Sequence, residues 1–484
     1  MMREPNQPTE RGMDKATTRF APPFDERWRD ILSRLSQQQT NELVIRIFRN
    51  HYRQLIDGAA GFIQEAEIRP IDNIAHLKAL PDELEAAGKE IVSKTVILKL
   101  NGGLGTSMGL DGPKSLLRVR DQMSFLDFIV AQARYFDIPL LLMNSFATAS
   151  ETARALESRG ALTPDRLITF MQHRVPKIRA DNYAAAQSET DPDLAWCPPG
   201  HGDLYAALLT SGTLSQLLQR NYRFMFVSNA DNLGATLDLR LLGYLARNRI
   251  SFLMEVADRT NADRKGGHLA RRPDGALVLR ESAQCLPAER EIFQDISRHR
   301  YFNTNNLWID LQMLGEALER CDGALPLPLI VNRKTLDPCD PSSPEIFQLE
   351  TAMGAAISLL PNACAVCVPR ERFAPVKTTS DLLAVRSDAY EVDERSSIQL
   401  VPERSGAPPT VGLDERFYRS VRELEDRIPS SPSLRHCRSL KIAGDFQIPA
   451  ETLFVGDVEL VNHREQAVHL EAGEITGKHV FDPP

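Results

Sequence analysis

The run Val96-Ile97-Leu98-Lys99-Leu100 passes without a break into Asn101-Gly102-Gly103-Leu104-Gly105-Thr106-Ser107-Met108-Gly109. The first five residues have the composition and length of a buried strand. The loop that follows holds four glycines, at 102, 103, 105 and 109. Without a Cβ, such a backbone can approach a polyanion and turn its N–H groups toward it. A strand that turns here into a helix would add a helix N-terminus to the same anion. A tight structural turn is the plainer alternative. Spacing excludes two common phosphate loops. A dinucleotide fingerprint needs G-x-G-x-x-G, but Met108 stands where the last glycine should be. A Walker loop needs Gly-Lys-Ser/Thr, but the chain has Gly112-Pro113-Lys114-Ser115. Lys114, stiffened by Pro113, would neutralise charge that grows on a leaving pyrophosphate.

Outward from this loop the pattern repeats. Strand-like runs at 139–143, 223–227 and 251–256 alternate with helical patterns such as 125–133 and 204–218. Alternation of this kind predicts an α/β domain with a mixed, mostly parallel sheet. Ligands in such sheets sit beyond the carboxyl ends of strands. Asn144-Ser145 and Ser228-Asn229-Ala230-Asp231 should therefore meet the glycine loop in one crevice.

Upstream, Trp28, Ile31, Leu32 and Leu35 share one helical face. Leu43, Val44, Ile47, Phe48, Tyr52, Leu55 and Ile56 form a second stripe, which Gly58 should end. Both stripes are expected to dock on the main body. The expected organisation is a disordered tail over 1–24, a helical region over 25–90, a catalytic domain over 91–394, and a linker with a small C-terminal domain over 395–484. Residues 395–410 are rich in Ser, Pro and Arg, which suits a linker. From Leu440 onward, Gly-Asp at 444–445 and 456–457, Gly473 and Gly477 punctuate strand-sized pieces. That texture predicts a small β-only domain of stacked short strands.

Composition narrows the function. A chain of 484 residues exceeds what one core fills. A net charge of −8 argues against a nucleic-acid partner, which demands a basic face. No run of eighteen apolar residues predicts a membrane span, and the polar N-terminus is no secretory signal. Seven scattered cysteines suit a reducing, cytoplasmic setting. Cys364-x-x-Cys367 lies in an apolar run and reads as part of a buried strand, not a metal or redox site.

At this point the residues resemble the eukaryotic-type UTP–glucose-1-phosphate uridylyltransferases (UDP-glucose pyrophosphorylases). The likeness starts with the glycine loop and Gly112-Pro113-Lys114-Ser115. It continues through Leu141-Leu142-Met143-Asn144-Ser145-Phe146 and Pro198-Pro199-Gly200-His201-Gly202-Asp203, then Phe226-Val227-Ser228-Asn229-Ala230-Asp231-Asn232-Leu233-Gly234-Ala235-Thr236. Lys265-Gly266-Gly267, Phe302-Asn303-Thr304-Asn305-Asn306-Leu307-Trp308 and Pro375-Val376-Lys377-Thr378-Thr379-Ser380-Asp381-Leu382-Leu383 complete it. These motifs stand in family order over roughly residues 45 to 390.

The resemblance implies a Rossmann-like nucleotide-sugar transferase domain, an N-terminal helical segment and a small C-terminal left-handed β-helix. That last segment would join copies of the chain or cap the catalytic domain. The resemblance also implies roles. Leu100, Asn101, Gly102 and Gly103 would line the nucleotide, with the two glycines also near the sugar phosphate. Lys114 would contact the triphosphate and Gln172 would read the uracil edge. Gly200 would pack on the nucleotide and His201 would touch the sugar phosphate. Asn229, Ala230 and Asp231 would sit at the nucleotide, with Asn229 and Asp231 between the two substrates and Asp231 on Mg²⁺. Asn303, Thr304 and Asn305 would hold glucose hydroxyls, and Lys377 would bridge both phosphate groups.

The residue chemistry agrees with this assignment. A sugar phosphate is already an anionic nucleophile, so joining it to UTP needs positioning and charge neutralisation rather than a strong base. Asp231 after a strand suits a hard cation, although a turn-forming Asp beside Asn232 is the bland alternative. His201 could be a mere loop residue. The Asn303–Asn306 cluster is rich in amide and hydroxyl groups, fitted to sugar hydroxyls or to an Asx-rich turn. Trp308 reads as core. Two residues depart from the family pattern: Ala230, where a bulkier aliphatic is usual, and His268, where Thr is expected. The rival readings are a related pyrophosphorylase for another sugar 1-phosphate and a non-catalytic sugar-nucleotide sensor.

Overall fold

The computed structural model describes residues 24–483 apart from 60, 121, 161, 162 and 164. The expected disordered tail lies outside the described residues, except that Phe24 already opens the helix Phe24–Gln37. The chain folds into two compact units, and the smaller is assembled from three pieces: residues up to 62, 173–203 and 327–352.

In that smaller unit, the helices Phe24–Gln37 and Glu42–Ile56 bury Trp28, Ile31, Leu35, Val44, Phe48 and Tyr52. These side chains cover Val175, Ile178, Cys197, Leu329 and Leu349. Asn41 caps the second helix by accepting from the Leu43 amide at 2.9 Å, one of its otherwise unpaired donors. Leu32 falls off the buried face and is exposed. An antiparallel sheet of Ile330–Thr335, Glu345–Glu350 and Ile178–Arg179 completes the unit.

The larger unit is built on a ten-stranded sheet. Its main path runs Ala75–His76, Cys364–Cys367, Phe252–Asp258, Tyr301–Asp310, Phe224–Asn229, Thr95–Asn101, Leu140–Asn144 and Leu167–Met171. Neighbours are parallel except at Tyr301–Asp310, which runs antiparallel to both sides. Strands of a mostly parallel sheet are covered on both faces, which is why they are apolar almost throughout. The helices Glu83–Ile91, Phe125–Tyr135 and Leu239–Arg247 pack Leu84, Leu126, Ile129, Leu241 and Leu245 with Ile97, Leu140, Phe226 and Trp308. The helical pattern over 204–218 is divided into Leu204–Thr210 and Thr213–Gln219. The break falls at Gly212, whose φ of +74° no helix accepts.

The C-terminal part joins this same unit. Thr410–Leu413, Cys437–Ala443, Thr452–Asn462 and Gly473–Phe481 make a four-stranded, all-parallel sheet. Leu440 and Leu460 of this sheet, and Phe446 of a separate short strand, share one apolar cluster with Met108 of the glycine loop and Val376 beside Lys377. The Ser/Pro/Arg-rich stretch is more than a linker. Ile398–Leu400 pairs with Tyr390–Val392, because Ile398 and Val401 are apolar enough to be buried. All seven cysteines are free, and Cys364 and Cys367 lie on a strand as expected. Among the described residues no helix is long and apolar enough to cross a membrane.

Candidate active site

The Thr95–Asn101 and Phe224–Asn229 strands run side by side, with Leu100 opposite Asn229, so both carboxyl ends open on one edge. Because Tyr301–Asp310 is antiparallel, its beginning reaches that same edge, with Asn303 opposite Val256. Sheet topology thus brings the glycine loop, the 229–231 turn and the start of the asparagine cluster to one place.

The glycine loop does not enter an α-helix. It makes a single 3₁₀ turn, Thr106–Met108, so the expected helix N-terminus is not there. Its second half is also committed to itself. The Gly105 amide donates to Gly112 O, and the Met108 and Leu110 amides donate to Gly105 O. The loop folds back at an isolated bridge between Leu104 and Pro113, and the Lys114 amide donates to Gly103 O at 3.1 Å. Pro113 therefore sets the return that carries Lys114 beside the glycines.

Lys114 Nζ lies 2.8 Å from Asp231 Oδ2, and Lys377 Nζ lies 2.7 Å from the same oxygen. Burial by itself would raise the Asp231 carboxyl, but Lys377 and Lys114 outweigh it and hold it below its ordinary value. Asp231 Oδ1 is buried and accepts from no donor. Lys377 is half exposed, whereas Lys114 is nearly buried. The Lys377 and Thr378 amides both donate to Asp381 Oδ2, in the cap of the helix Thr379–Arg386.

Other candidates fall into two groups. Gln172 sits against the loop: a Cβ built on Gly102 would lie 2.8 Å from Gln172 Oε1, so only glycine leaves that amide its place. Gly103 has open space where a Cβ would go. Asn305 takes a left-handed φ of +60°, and its Oδ1 accepts from Asn303 Nδ2 at 2.9 Å. Gly200 and His201 belong to the smaller unit, where Gly200 has a φ of +79° and the Gly202 amide donates to Thr351 O.

Three candidate side chains are engaged within the protein. The Asn101 side chain is buried and donates to Asn144 Oδ1 and Thr152 Oγ1, which leaves its backbone for a nucleotide. The Ala230 methyl joins the hydrophobic core. Thr304 is turned inward at a bulge, and its hydroxyl donates to Glu255 O at 2.7 Å. His268, the other departure from the family pattern, is fully buried with its ring stacked 3.8 Å from that of His299. Its replacement of Thr therefore acts on the core.

Sequence reasoning missed a set of buried polar residues beneath the site. Lys99 donates to Ser228 Oγ at 2.7 Å and to Ala235 O at 2.8 Å. Burial, then Arg372, push its ammonium down to about 7, against the pull of Glu255. Glu255 and Arg372 form a buried pair nearby. The signal was present for two of the three: Lys99 and Glu255 each interrupt an otherwise apolar strand.

This α/β sheet, with a glycine loop and two lysines converging on one carboxylate at its strand ends, defines a nucleotidyltransferase. The comparisons make the class specific. The sequence profile described as UTP–glucose-1-phosphate uridylyltransferase matches residues 45–453. The Encephalitozoon cuniculi UTP–glucose-1-phosphate uridylyltransferase is 36% identical over 478 residues, 96% of this chain and 94% of that protein. The Saccharomyces cerevisiae enzyme of that name is 40% identical over 391 residues, 79% and 77% of the two chains. A UDP-glucose phosphorylase structure from Trypanosoma brucei superposes with a TM-score of 0.85 at 43% identity, covering 94% of this chain and 99% of that one. A mutant UDP-glucose pyrophosphorylase from Leishmania major, in complex with UDP-glucose, gives 0.86 at 40% identity over the same shares. The chain belongs to the UTP–glucose-1-phosphate uridylyltransferase family.

Proposed function

We propose that this chain transfers the uridylyl group of UTP to glucose 1-phosphate, giving UDP-glucose and pyrophosphate, with Asp231, Lys114 and Lys377 at the centre of the reaction. The observation that carries the reading is the double ion pair on Asp231 Oδ2. Two ammonium groups held by one carboxylate leave a net positive charge where a triphosphate and a sugar phosphate must meet. An incoming triphosphate offers the lysines several charged acceptor oxygens in place of one carboxylate oxygen. Lys377, half exposed, would contact both phosphate groups, and the nearly buried Lys114 the triphosphate. The sugar phosphate attacks as the anion it already is, so no residue is needed as a base.

Mg²⁺ fits this site. Asp231 Oδ1 is a buried acceptor that no donor satisfies, the kind of atom a cation would complete. Among the described residues no group of three or more His, Cys, Asp or Glu gathers to hold a metal, so substrate phosphates would supply the other ligands. Bound there, the ion would neutralise charge on the triphosphate. Around it, the 100–103 backbone and Asn229 hold the nucleotide and Gln172 reads the uracil edge. Gly200 and His201 serve the nucleotide and sugar phosphate, and the Asn303 and Asn305 amides hold glucose hydroxyls.

We also read the C-terminal segment as a short left-handed β-helix, supported by its parallel pairing, and as a cap or a contact between copies of the chain. A cytoplasmic setting is supported by the seven unpaired cysteines. The test is direct. Incubation with UTP, glucose 1-phosphate and Mg²⁺ should release pyrophosphate, and a background rate would overturn the reading. A panel with galactose 1-phosphate and N-acetylglucosamine 1-phosphate should favour glucose.

A further inference from the structure

Beneath the Asp231 turn lies an ion pair that the transfer chemistry leaves unused. Glu255 is fully buried on the strand Phe252–Asp258. Arg372 closes on it with both ends of its fork, Nε 2.8 Å from Oε2 and Nη2 2.6 Å from Oε1. The same Nη2 donates to Thr236 O at 2.8 Å, on the loop that follows Asp231. Glu255 also accepts from Trp308 Nε1 at 2.8 Å and Asn306 Nδ2 at 3.1 Å. The carbonyl of Arg372 accepts from Asn232 Nδ2 and Asn306 Nδ2, each at 3.2 Å. Asn232 Oδ1 takes the Ala374 amide at 3.0 Å, and the Val376 amide donates to Asp231 O at 3.1 Å. The segment that ends in Lys377 is thus tied, bond after bond, to the loop that carries Asp231.

A buried ion pair is a poor way to gain stability, because desolvation offsets much of the attraction. What this one supplies is geometry. A guanidinium reaches a carboxylate and a carbonyl in one plane, which an ammonium cannot imitate. We propose that Arg372, acting through Glu255, is a positioning residue for uridylyl transfer, holding Lys377 and the Asp231 loop as one preset unit. Lys377 depends on that restraint because its side chain is half exposed and reaches Asp231 from a separate segment of the chain. Charge held ready before reaction costs no reorganisation when the phosphates arrive. The inference rests on the reading of Lys377 and Asp231 as the groups that meet the phosphates.

Two variants test it, with Lys377→Ala beside them. Arg372→Lys keeps the buried charge balanced but loses the fork. It should fold, bind UTP with a KM close to that of the parent, and lose kcat by on the order of 10², as expected for a small misplacement of a reacting group. Should the lysine fail to fold, the charge-free pair Glu255→Met with Arg372→Met removes both buried ions and often leaves stability unchanged. It should show the same split, near-parent KM with low kcat. Parent-level kcat in either folded variant overturns the proposal, as does a KM rise that accounts for the whole loss. If Lys377→Ala keeps full kcat, the reading of Lys377 falls and takes the proposal with it. If Lys377→Ala is impaired and Arg372→Lys is not, only the positioning role is lost.

Discussion

Lys114 and Lys377 place their ammonium groups on the same oxygen of Asp231, at 2.8 and 2.7 Å, from distant parts of the chain. The carboxylate between them offsets the repulsion the two ammonium groups feel and keeps both charges in place until phosphate arrives.

Removing either charge should cost rate more than fold. Lys377→Ala and Lys114→Ala are each expected to lower kcat by roughly 10²–10³, about 3–4 kcal/mol of transition-state stabilisation. Pyrophosphate release under saturating UTP and glucose 1-phosphate measures it. An unchanged kcat would remove the residue from the mechanism.

Asp231→Asn keeps the shape and removes the negative charge. Activity should fall sharply, and the Mg²⁺ concentration for half-maximal rate should rise. The stability effect has a definite sign. The lysines hold the Asp231 carboxyl below its ordinary value, so its contribution is present above the usual Asp value of about 3.9. It is lost as pH falls through the lower folded value. Thermal melts of parent and variant should differ at neutral pH and converge in acid.

Lys99 predicts a slope of the same sign in a different window. Its ammonium is lowered to about 7 by burial, so between about pH 7 and the ordinary lysine value near 10.4 the unfolded chain binds the extra proton. Parent stability relative to Lys99→Met should rise through that window, by at most about 1.4 kcal/mol per pH unit. Denaturant melts from pH 7 to 10 read the difference, and a flat difference would show that Lys99 titrates normally.

Gly102→Ala tests the uracil reader. The new methyl would meet Gln172 Oε1 at 2.8 Å, the movable end of a side chain, so the fold should survive while the amide is displaced. The preference for UTP over CTP should drop by up to about tenfold, the value of one hydrogen bond. Retention of full discrimination would relieve Gln172 of this role.

Much of the site is legible in the sequence. Val96 to Gly103 had to be a strand followed by close backbone, because apolar composition and consecutive glycines permit little else. Pro113-Lys114 announced a fixed cation, and the strands at 139–143, 223–227 and 251–256 all formed within a residue or two. The misses have physical causes as well. Nothing local in the polar cluster records that a bulge opposite Glu255 turns the Thr304 hydroxyl inward. The helix expected after the glycines is a 3₁₀ turn, since the loop satisfies its amides by folding on itself.

What the sequence by itself determined, then, is local: which runs are strands, where they stop, and which charged groups stand just beyond. Composition and backbone freedom decide those within a few residues. Only the tertiary structure decided that Lys114 and Lys377 share one oxygen, that Arg372 ties the Lys377 segment to the Asp231 loop, and that residues 24–62, 173–203 and 327–352 form a unit of their own. Those facts depend on strand order and on one antiparallel strand set into a parallel sheet. Such pairings are made between residues far apart in the chain, and no local pattern records them.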